Sequence, residues 1–273
     1  MRLALLQYEA GRSKEESRRA IERLLERYEG KPDLIALPEY SPLDPTGMKA
    51  PELWEQAEEL RGEWVKFLGS IAQRMSSCLV GSLVEKSPYP PKVYNTAVLL
   101  DRQGEVIGVY RKTHLFDALG YRESSIMVPG EELFQPQEAC GARIGLAICF
   151  EIRYPEIFRS QALRGAQLAV VPTAWYRGPL KEETLTVLAR ARAIENGIFL
   201  ALPVQYGHNF TGRSMVVDPN GVVVAEGGVG EKVVETTIDL GEVERVRERA
   251  PLLKLGRWEL LLSGYSGSSS YVR

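Results

Sequence analysis

Three reactive side chains, a carboxylate, an amine and a thiol, each follow a predicted buried strand. They are Glu39 after the run 34–37, Lys112 after 105–111, and Cys149 after 143–148. In α/β proteins the carboxyl ends of strands form the edge where ligands bind and chemistry is done. Taken singly, each residue is also typical of ordinary structure: a buried small cysteine, a solvated loop glutamate and a surface lysine. Their shared position at strand ends favours a common site.

The chemistry that these groups allow is nucleophilic catalysis by a thiol. A cation or a helix N-terminus lowers the pKa of a thiol from about 8.5, and Lys112 and the helix predicted to begin at Pro155 would supply both. Glu39 would take the thiol proton and later activate water, as a general base. Lys112 and the backbone N–H of Phe150 would bind the oxyanion of a tetrahedral intermediate. The predicted path is a thioester followed by its hydrolysis.

A cysteine–histidine pair is the alternative arrangement for cysteine catalysis. The sequence holds two histidines, His114 and His208. Only His114, two residues after Lys112, is placed to serve Cys149. We expect His114 instead to shape the loop after Lys112, which leaves Glu39 as the predicted base.

The composition excludes several classes of function. The 273 residues are 44% apolar and 26% charged, with a net charge of −2, so there is no basic surface for nucleic acid or an anionic membrane. No apolar stretch approaches the roughly 18 residues needed to cross a bilayer. No glycine-rich phosphate loop follows the first strand, which argues against nucleotide binding.

The number and spacing of the cysteines indicate whether the protein works in a reducing or an oxidising cellular compartment. Cys78, Cys140 and Cys149 lack metal-ligand spacing. Residues 1–9 are typical of a first strand and lack the apolar core and cleavage site of a signal peptide. With no export signal, we expect three free thiols in a reducing, cytoplasmic environment.

Predicted strands alternate with amphipathic helices along the chain. The helices are predicted from Ser13, over 62–75, from Pro155, and over 180–196 and 242–249. The further strands are predicted at 3–8, 79–84, 94–100, 167–171, 198–204, 214–217, 222–225 and 233–238. This alternation indicates an α/β domain with helices outside its sheets, and leaves open whether there is one sheet or two.

Three blocks of sequence resemble those of the nitrilase superfamily of carbon–nitrogen hydrolases. They are Leu34-Ile-Ala-Leu-Pro-Glu39, Tyr110-Arg-Lys112-Thr-His-Leu-Phe-Asp117 and Gly145-Leu-Ala-Ile-Cys149-Phe-Glu-Ile-Arg-Tyr-Pro-Glu156. The resemblance covers residues 1–240 as one domain. We expect residues 241–273 to form a C-terminal helix and a tail that packs at a subunit interface.

The resemblance implies a fold, an assembly and a reaction. The fold is a single-domain α/β structure built as a four-layer α-β-β-α sandwich. The assembly is a homodimer or a larger homo-oligomer, with no metal or organic cofactor, and its partner is a small-molecule amide. The catalytic triad is Glu39, Lys112 and Cys149, in the roles given above.

The resemblance also implies residues beyond the triad. Glu123, in a loop ahead of a Pro-Gly pair, would hydrogen-bond Lys112 and help to position substrate. The blocks look most like those of omega-amidases and related small-amide hydrolases, in which the arginine four positions after the nucleophile lies close to a substrate carboxylate. Arg153 occupies that position. A structural ion pair with Glu156 or Asp117 is the alternative role.

The segment 172–178 departs from the omega-amidase pattern, which has a threonine-rich stretch there. Trp175 and Tyr176 would narrow the pocket, and Arg177 would recognise an anion. The two aromatic rings are equally consistent with a place in the core.

The sequence therefore predicts hydrolysis of a small linear amide, bearing a carboxylate, to a carboxylic acid and ammonia. Hydrolysis of an N-carbamoyl compound or a nitrile by the same triad is the alternative reaction. A catalytically silent interaction protein is the alternative of another class, and the presence of all three reactive groups argues against it.

Overall fold

Two six-stranded mixed sheets form the centre of the protein in the computed structural model, which describes residues 1–257. The first sheet contains β1 (Arg2–Gln7), β2 (Leu34–Ala36), β3 (Cys78–Lys86), β4 (Val93–Leu100), β5 (Val106–Arg111) and β12 (Lys232–Thr237). The second contains β6 (Gln137–Ala139), β7 (Ala142–Leu146), β8 (Leu168–Val170), β9 (Phe199–Leu202), β10 (Met215–Val217) and β11 (Val223–Glu226). Their spatial orders are β12-β1-β2-β3-β4-β5 and β11-β10-β9-β8-β7-β6.

The two sheets share one plan, in which a parallel centre is flanked by antiparallel strands. Strands β1, β2 and β3 are parallel in the first sheet, and β7, β8 and β9 in the second. Parallel neighbours need crossover connections, which are usually helices. The helices of the described chain are α1 (Lys14–Glu26), α2 (Ala50–Gln56), α3 (Glu63–Met75), α4 (Pro155–Leu163), α5 (Lys181–Asn196), α6 (Gly241–Arg249) and α7 (Leu252–Leu255).

The alternation of side chains along a strand separates the layers. Because successive side chains point to opposite faces of a sheet, Leu3 and Leu5 join a core that also holds β7, β8 and β9 of the second sheet. Ala4 and Leu6 join a separate core with apolar residues of α1 and α3, among them Trp64. The predicted four-layer sandwich is confirmed, and the open question of one sheet or two is answered as two.

The helices and strands predicted from the sequence are present, with bounds shifted by a residue or two at most ends. The short elements α2, β6 and α7 were not predicted, because stretches this short carry too little periodicity.

The prediction of three free thiols is wrong for two of the cysteines. Cys78, at the start of β3, and Cys140, in the turn between β6 and β7, form a disulfide with a Cα–Cα distance of 6.1 Å. They are separated by 62 residues and belong to different sheets. Only the face-to-face packing of the sheets brings them together, and sequence spacing carries no sign of it. Cys149 is a free, buried thiol.

The C-terminal helix predicted at 242–249 corresponds to α6. The tail at 258–273 lies outside the described residues, so its place at a subunit interface stays a prediction, as do the homo-oligomer and the cytoplasmic location. Within residues 1–257, no helix combines the length and apolar character needed to span a membrane.

Candidate active site

Glu39, Lys112 and Cys149 come together from both sheets. Glu39 follows β2 and Lys112 follows β5 in the first sheet, whereas Cys149 follows β7 in the second. The Lys112 Nζ lies 3.0 Å from Glu39 Oε1, and the Cys149 thiol and the Glu39 carboxylate are close enough for each to shift the pKa of the other. All three are nearly inaccessible, with exposed fractions of 1% for Glu39, 2% for Lys112 and 8% for Cys149.

Glu123 completes the group on the far side of the lysine. It begins a short 3₁₀ turn (Glu123–Ser125) and is fully buried. Its Oε2 lies 2.9 Å from Lys112 Nζ and accepts the backbone N–H of Phe116 at 2.6 Å. The Tyr40 hydroxyl donates to Oε1 at 2.8 Å. Lys112 is therefore held between two carboxylates.

Asn95, on β4, is a second bridge between the same carboxylates. Its Nδ2 donates to Glu39 Oε1 at 2.8 Å and to Glu123 Oε1 at 3.2 Å. The other oxygen of Glu39, Oε2, accepts the backbone N–H of Ala174 at 2.9 Å. These donors fix the plane of the Glu39 carboxylate beside the thiol, and fixed geometry of this kind is what a general base requires.

The pKa values of the two carboxyl groups, Glu39 and Glu123, are shifted in opposite directions. Burial raises the pKa of Glu39 above its ordinary value, against the opposing charge of Lys112 and with a further contribution from Glu123. Burial acts in the same direction on Glu123, but the charge of Lys112 and the donated hydrogen bonds outweigh it and lower the pKa of Glu123. Two carboxyl groups whose pKa values are shifted in opposite directions in this way take different roles. Glu123 is suited to pair with the lysine and Glu39 to accept a proton.

Lys112 keeps its charge despite its burial. Burial alone would lower the pKa of the ammonium, but Glu123 and Glu39 outweigh this effect and raise that pKa well above its ordinary value. A permanent buried cation in this position is suited to stabilise negative charge that develops on a substrate.

The pKa of the Cys149 thiol is shifted in the direction opposite to the one predicted from the sequence. Burial and the negative charge of Glu39 raise the pKa of Cys149 well above its ordinary value, although Lys112 acts in the opposite direction. The predicted lowering of the thiol pKa by Lys112 and the helix from Pro155 is therefore wrong. The lysine charge is already shared between two carboxylates, and the thiol is desolvated. A protonated thiol next to a carboxylate calls for proton transfer during attack rather than a preformed thiolate.

Cys149 sits on a turn whose backbone is strained. Its φ of +47° lies in the left-handed region, which side-chain-bearing residues rarely occupy. The buried carboxylate of Glu151 holds this turn, because Oε2 accepts the N–H of Ile148 at 2.7 Å and Oε1 accepts the N–H of Thr113 at 2.8 Å. Glu151 thus ties the cysteine turn to the residue after Lys112. Strain of this kind is retained where the surrounding structure enforces it, often at functional sites.

The backbone next to the nucleophile offers the predicted oxyanion donor. Phe150 lies in the 3₁₀ turn Cys149–Arg153. Among the hydrogen bonds of residues 1–257, none uses the Phe150 N–H to join this turn to another part of the chain. This donor is therefore available to a substrate oxygen beside the thiol.

A small pocket opens onto the thiol. It is lined by Phe116, Cys149, Phe150, Arg153, Ala174, Trp175, Tyr176 and Lys181. Four of these residues are aromatic, and their rings make the pocket narrow. The two charged residues in the lining are both cations. Among the described residues no cluster of His, Cys, Asp and Glu is arranged to hold a metal ion.

Two of the three predicted substrate-binding residues line the pocket, and the third does not. Trp175 and Arg153 line it, with the Arg153 guanidinium 5.1 Å from the centre of the Trp175 ring. No ion pair joins Arg153 to Glu156 or Asp117, the alternatives raised from the sequence, or to another carboxylate in residues 1–257. Arg177 lies outside the lining and donates to the Gly207 carbonyl at 3.1 Å, so we assign it no contact with substrate.

Sequence reasoning missed residues that the fold brings to the site. Glu151 stands inside the sequence block 145–156 and Asn95 on the predicted strand 94–100, so their positions were marked although their roles were not. Lys181 carried no signal, being a charged residue at the start of a predicted helix. His114 contacts Thr113 Oγ1 at 2.8 Å and its ring lies 4.0 Å from that of Tyr154, in keeping with the expected structural role.

Comparison with known proteins shows the family of the chain. Residues 2–248 match the family model described as carbon-nitrogen hydrolase. The omega-amidase NIT3 of Saccharomyces cerevisiae is 33% identical over 209 residues, covering 72% of this chain and 70% of that protein. A carbon-nitrogen hydrolase from Helicobacter pylori G27 superimposes with a TM-score of 0.88 at 26% identity, covering 96% of this chain and 97% of the other.

A further structure concerns the cysteine itself. A variant of an amidase from Nesterenkonia sp. AN1 is 28% identical, has a TM-score of 0.77 and covers 97% of this chain and 99% of the other. It shows the result of Michael addition of acrylamide at its active-site cysteine.

The chain belongs to the carbon–nitrogen hydrolase family, within the nitrilase superfamily. It is an amidase, an enzyme that acts on carbon–nitrogen bonds other than peptide bonds.

Proposed function

We propose that this amidase hydrolyses a small linear amide to a carboxylic acid and ammonia through a thioester on Cys149, and that the substrate carries a carboxylate at its far end. One observation carries the reaction: the Cys149 thiol lies beside a Glu39 carboxylate that Lys112 and Asn95 hold in place.

The first half of the reaction forms the thioester. Glu39 takes the thiol proton while Sγ attacks the amide carbon, so that a carbon–sulfur bond forms and the carbonyl becomes an oxyanion. The Lys112 ammonium and the Phe150 N–H stabilise that oxyanion. Collapse of the intermediate breaks the carbon–nitrogen bond, and Glu39 returns its proton to the leaving nitrogen, which departs as ammonia.

The second half hydrolyses the thioester. Glu39 removes a proton from a water molecule, the hydroxide attacks the acyl carbon, and the same two donors stabilise the second oxyanion. The carbon–sulfur bond breaks, the proton returns to sulfur, and the carboxylic acid leaves. The raised pKa of Glu39 supports this cycle, because the group must accept and release a proton twice per turnover.

Glu123 supports the cycle without exchanging protons. With its pKa lowered by Lys112, it remains a carboxylate and keeps the lysine charged while Glu39 passes through its neutral form. The lysine therefore stays a cation at each step in which negative charge develops.

The pocket supports a small substrate with an anionic end. Its aromatic walls restrict the acyl chain to a short one, and Arg153 presents a guanidinium to the pocket without a carboxylate partner among residues 1–257. The yeast relative's description as an omega-amidase is consistent with this class of substrate.

The test is ammonia release from a panel of amides, N-carbamoyl compounds and nitriles by the enzyme and by Cys149→Ala. We expect preference for short amides with a terminal carboxylate, and loss of turnover in the variant, which should unfold at a temperature close to that of the parent. Ammonia release that persists in Cys149→Ala would exclude the thioester. A preference for nitriles or carbamoyl compounds would replace the proposed substrate class.

A further inference from the structure

Lys181 is a second cation in the pocket of the catalytic cysteine. It is the first residue of α5, and the preceding residue, Leu180, has a φ of +56° that turns the chain into the helix. The Trp175 Nε1–H donates to the Lys181 carbonyl at 2.7 Å. The backbone of Lys181 is thereby fixed to the pocket wall, so its side chain emerges at a defined place.

The ammonium of Lys181 lies among aromatic rings and has no counter-ion among residues 1–257. Its Nζ is 5.4 Å from the centre of the Trp175 ring and 5.8 Å from that of Phe116. No carboxylate of residues 1–257 forms an ion pair with it. Glu39 and Glu123, the carboxylates of the catalytic cluster, are already paired with Lys112.

Lys181 and Arg153 approach the same indole ring of Trp175, at 5.4 Å and 5.1 Å. Two like charges near each other on a partly desolvated surface destabilise one another, and burial and Arg153 both lower the pKa of Lys181. An anion bound between the two cations would relieve this repulsion and replace the water that both lose.

We propose that Lys181 is a specificity-determining residue that binds, jointly with Arg153, the carboxylate at the non-reacting end of the substrate. This inference rests on the proposed function and deepens it by naming a second cation for the same anion. The paired cations favour amides with a terminal carboxylate over neutral amides of the same length.

The experiment compares glutaramate with pentanamide, two amides that differ in the presence of the terminal carboxylate. The measured quantity is the ratio of kcat/KM for glutaramate to kcat/KM for pentanamide. Because a hydrogen bond to a charged group contributes more than a neutral one, we expect Lys181→Met to lower this ratio about 10–100-fold, mainly through KM for glutaramate. Lys181→Arg, which keeps the charge, should restore most of it.

Lys31→Met is the matched control, because Lys31 is exposed and outside the pocket; its ratio should equal that of the parent. An unchanged ratio in Lys181→Met, or equal losses on both amides, would overturn the role of Lys181 while leaving the proposed reaction in place. Failure of the parent enzyme to release ammonia from either amide would instead overturn the proposed function, and the inference with it.

Discussion

Charge is paired differently in two parts of the site. One part is the buried cluster beside Cys149, here called the floor (Glu39, Asn95, Lys112 and Glu123). The other is the part of the pocket wall that carries Arg153 and Lys181, here called the mouth. At the floor, Lys112 lies within 3.1 Å of oxygens from both Glu39 and Glu123, and Asn95 bridges the same two groups. At the mouth, Arg153 and Lys181 face aromatic rings and form no ion pair within the described chain. The cation of the floor is already paired with two carboxylates, whereas no carboxylate of residues 1–257 pairs with the cations of the mouth.

This contrast predicts that the floor residues carry out the reaction, whereas the mouth residues select the substrate. A preorganised set of charges needs no rearrangement as the transition state forms, so substitutions at the floor should reduce kcat for every substrate. Under the proposed function, the mouth cations, which form no ion pair within residues 1–257, gain a partner from an anionic substrate, so substitutions there should alter the choice between substrates. The predictions below test that division.

The largest effect after loss of the nucleophile is expected at the base. Glu39→Gln keeps the shape of the side chain but removes its capacity to accept a proton. We expect kcat to fall about 10²–10⁴-fold, the usual contribution of general acid–base catalysis, for charged and neutral amides alike. Steady-state kinetics on both amides measures this. A fall in kcat for only one of the two amides would mean that Glu39 contributes to substrate selection and is not the general base.

A smaller effect is expected at the amide that bridges the floor. Asn95→Ala removes a donor to the charged form of Glu39, so the pKa of Glu39, already raised by burial, should rise further. Because Glu39 must be deprotonated to take the thiol proton, the acid limb of the pH profile of kcat/KM should move to higher pH. We also expect kcat to fall about tenfold or more.

Asn196→Ala is the control for this prediction, because Asn196 is a buried asparagine on α5 that hydrogen-bonds the Arg192 carbonyl and is not part of the pocket lining. It should lower stability without moving the acid limb. A pH profile that stays in place in Asn95→Ala would show that Asn95 does not tune the base.

The smallest effect on turnover is expected at the disulfide. Cys78 and Cys140 join the two sheets and line no part of the pocket. Replacing both by serine should lower the free energy of unfolding by about 2–5 kcal/mol and leave kcat and the substrate ratio close to those of the parent. Denaturant unfolding and kinetics measure the two quantities. A large loss of kcat below the unfolding transition would show that the cross-link also shapes the floor.

Sequence alone predicts the parts of this molecule that local pattern controls. Periodicity placed the strands and helices, and the strand ends located Glu39, Lys112 and Cys149. Glu123 came from resemblance to a known family, because a glutamate in a loop has no pattern of its own. The Cys78–Cys140 pair and Lys181 could not be foreseen, since each depends on elements that meet only in three dimensions.

The sign of the thiol pKa shift shows the same limit. Counting nearby cations predicts a lowered pKa, but the result depends on burial and on how the charge of Lys112 is divided between Glu39 and Glu123. Neither quantity can be obtained from the spacing of residues along the chain.

The most direct test of the proposed thioester on Cys149 is the mass of the enzyme trapped during turnover. The enzyme is mixed with glutaramate, quenched in acid within one turnover, digested and analysed by mass spectrometry. We expect an acyl group on the peptide that contains Cys149, with ammonia released in equal amount and no adduct in Cys149→Ala. Ammonia release without an acyl adduct on Cys149, or with the adduct on another residue, would contradict the proposed thioester.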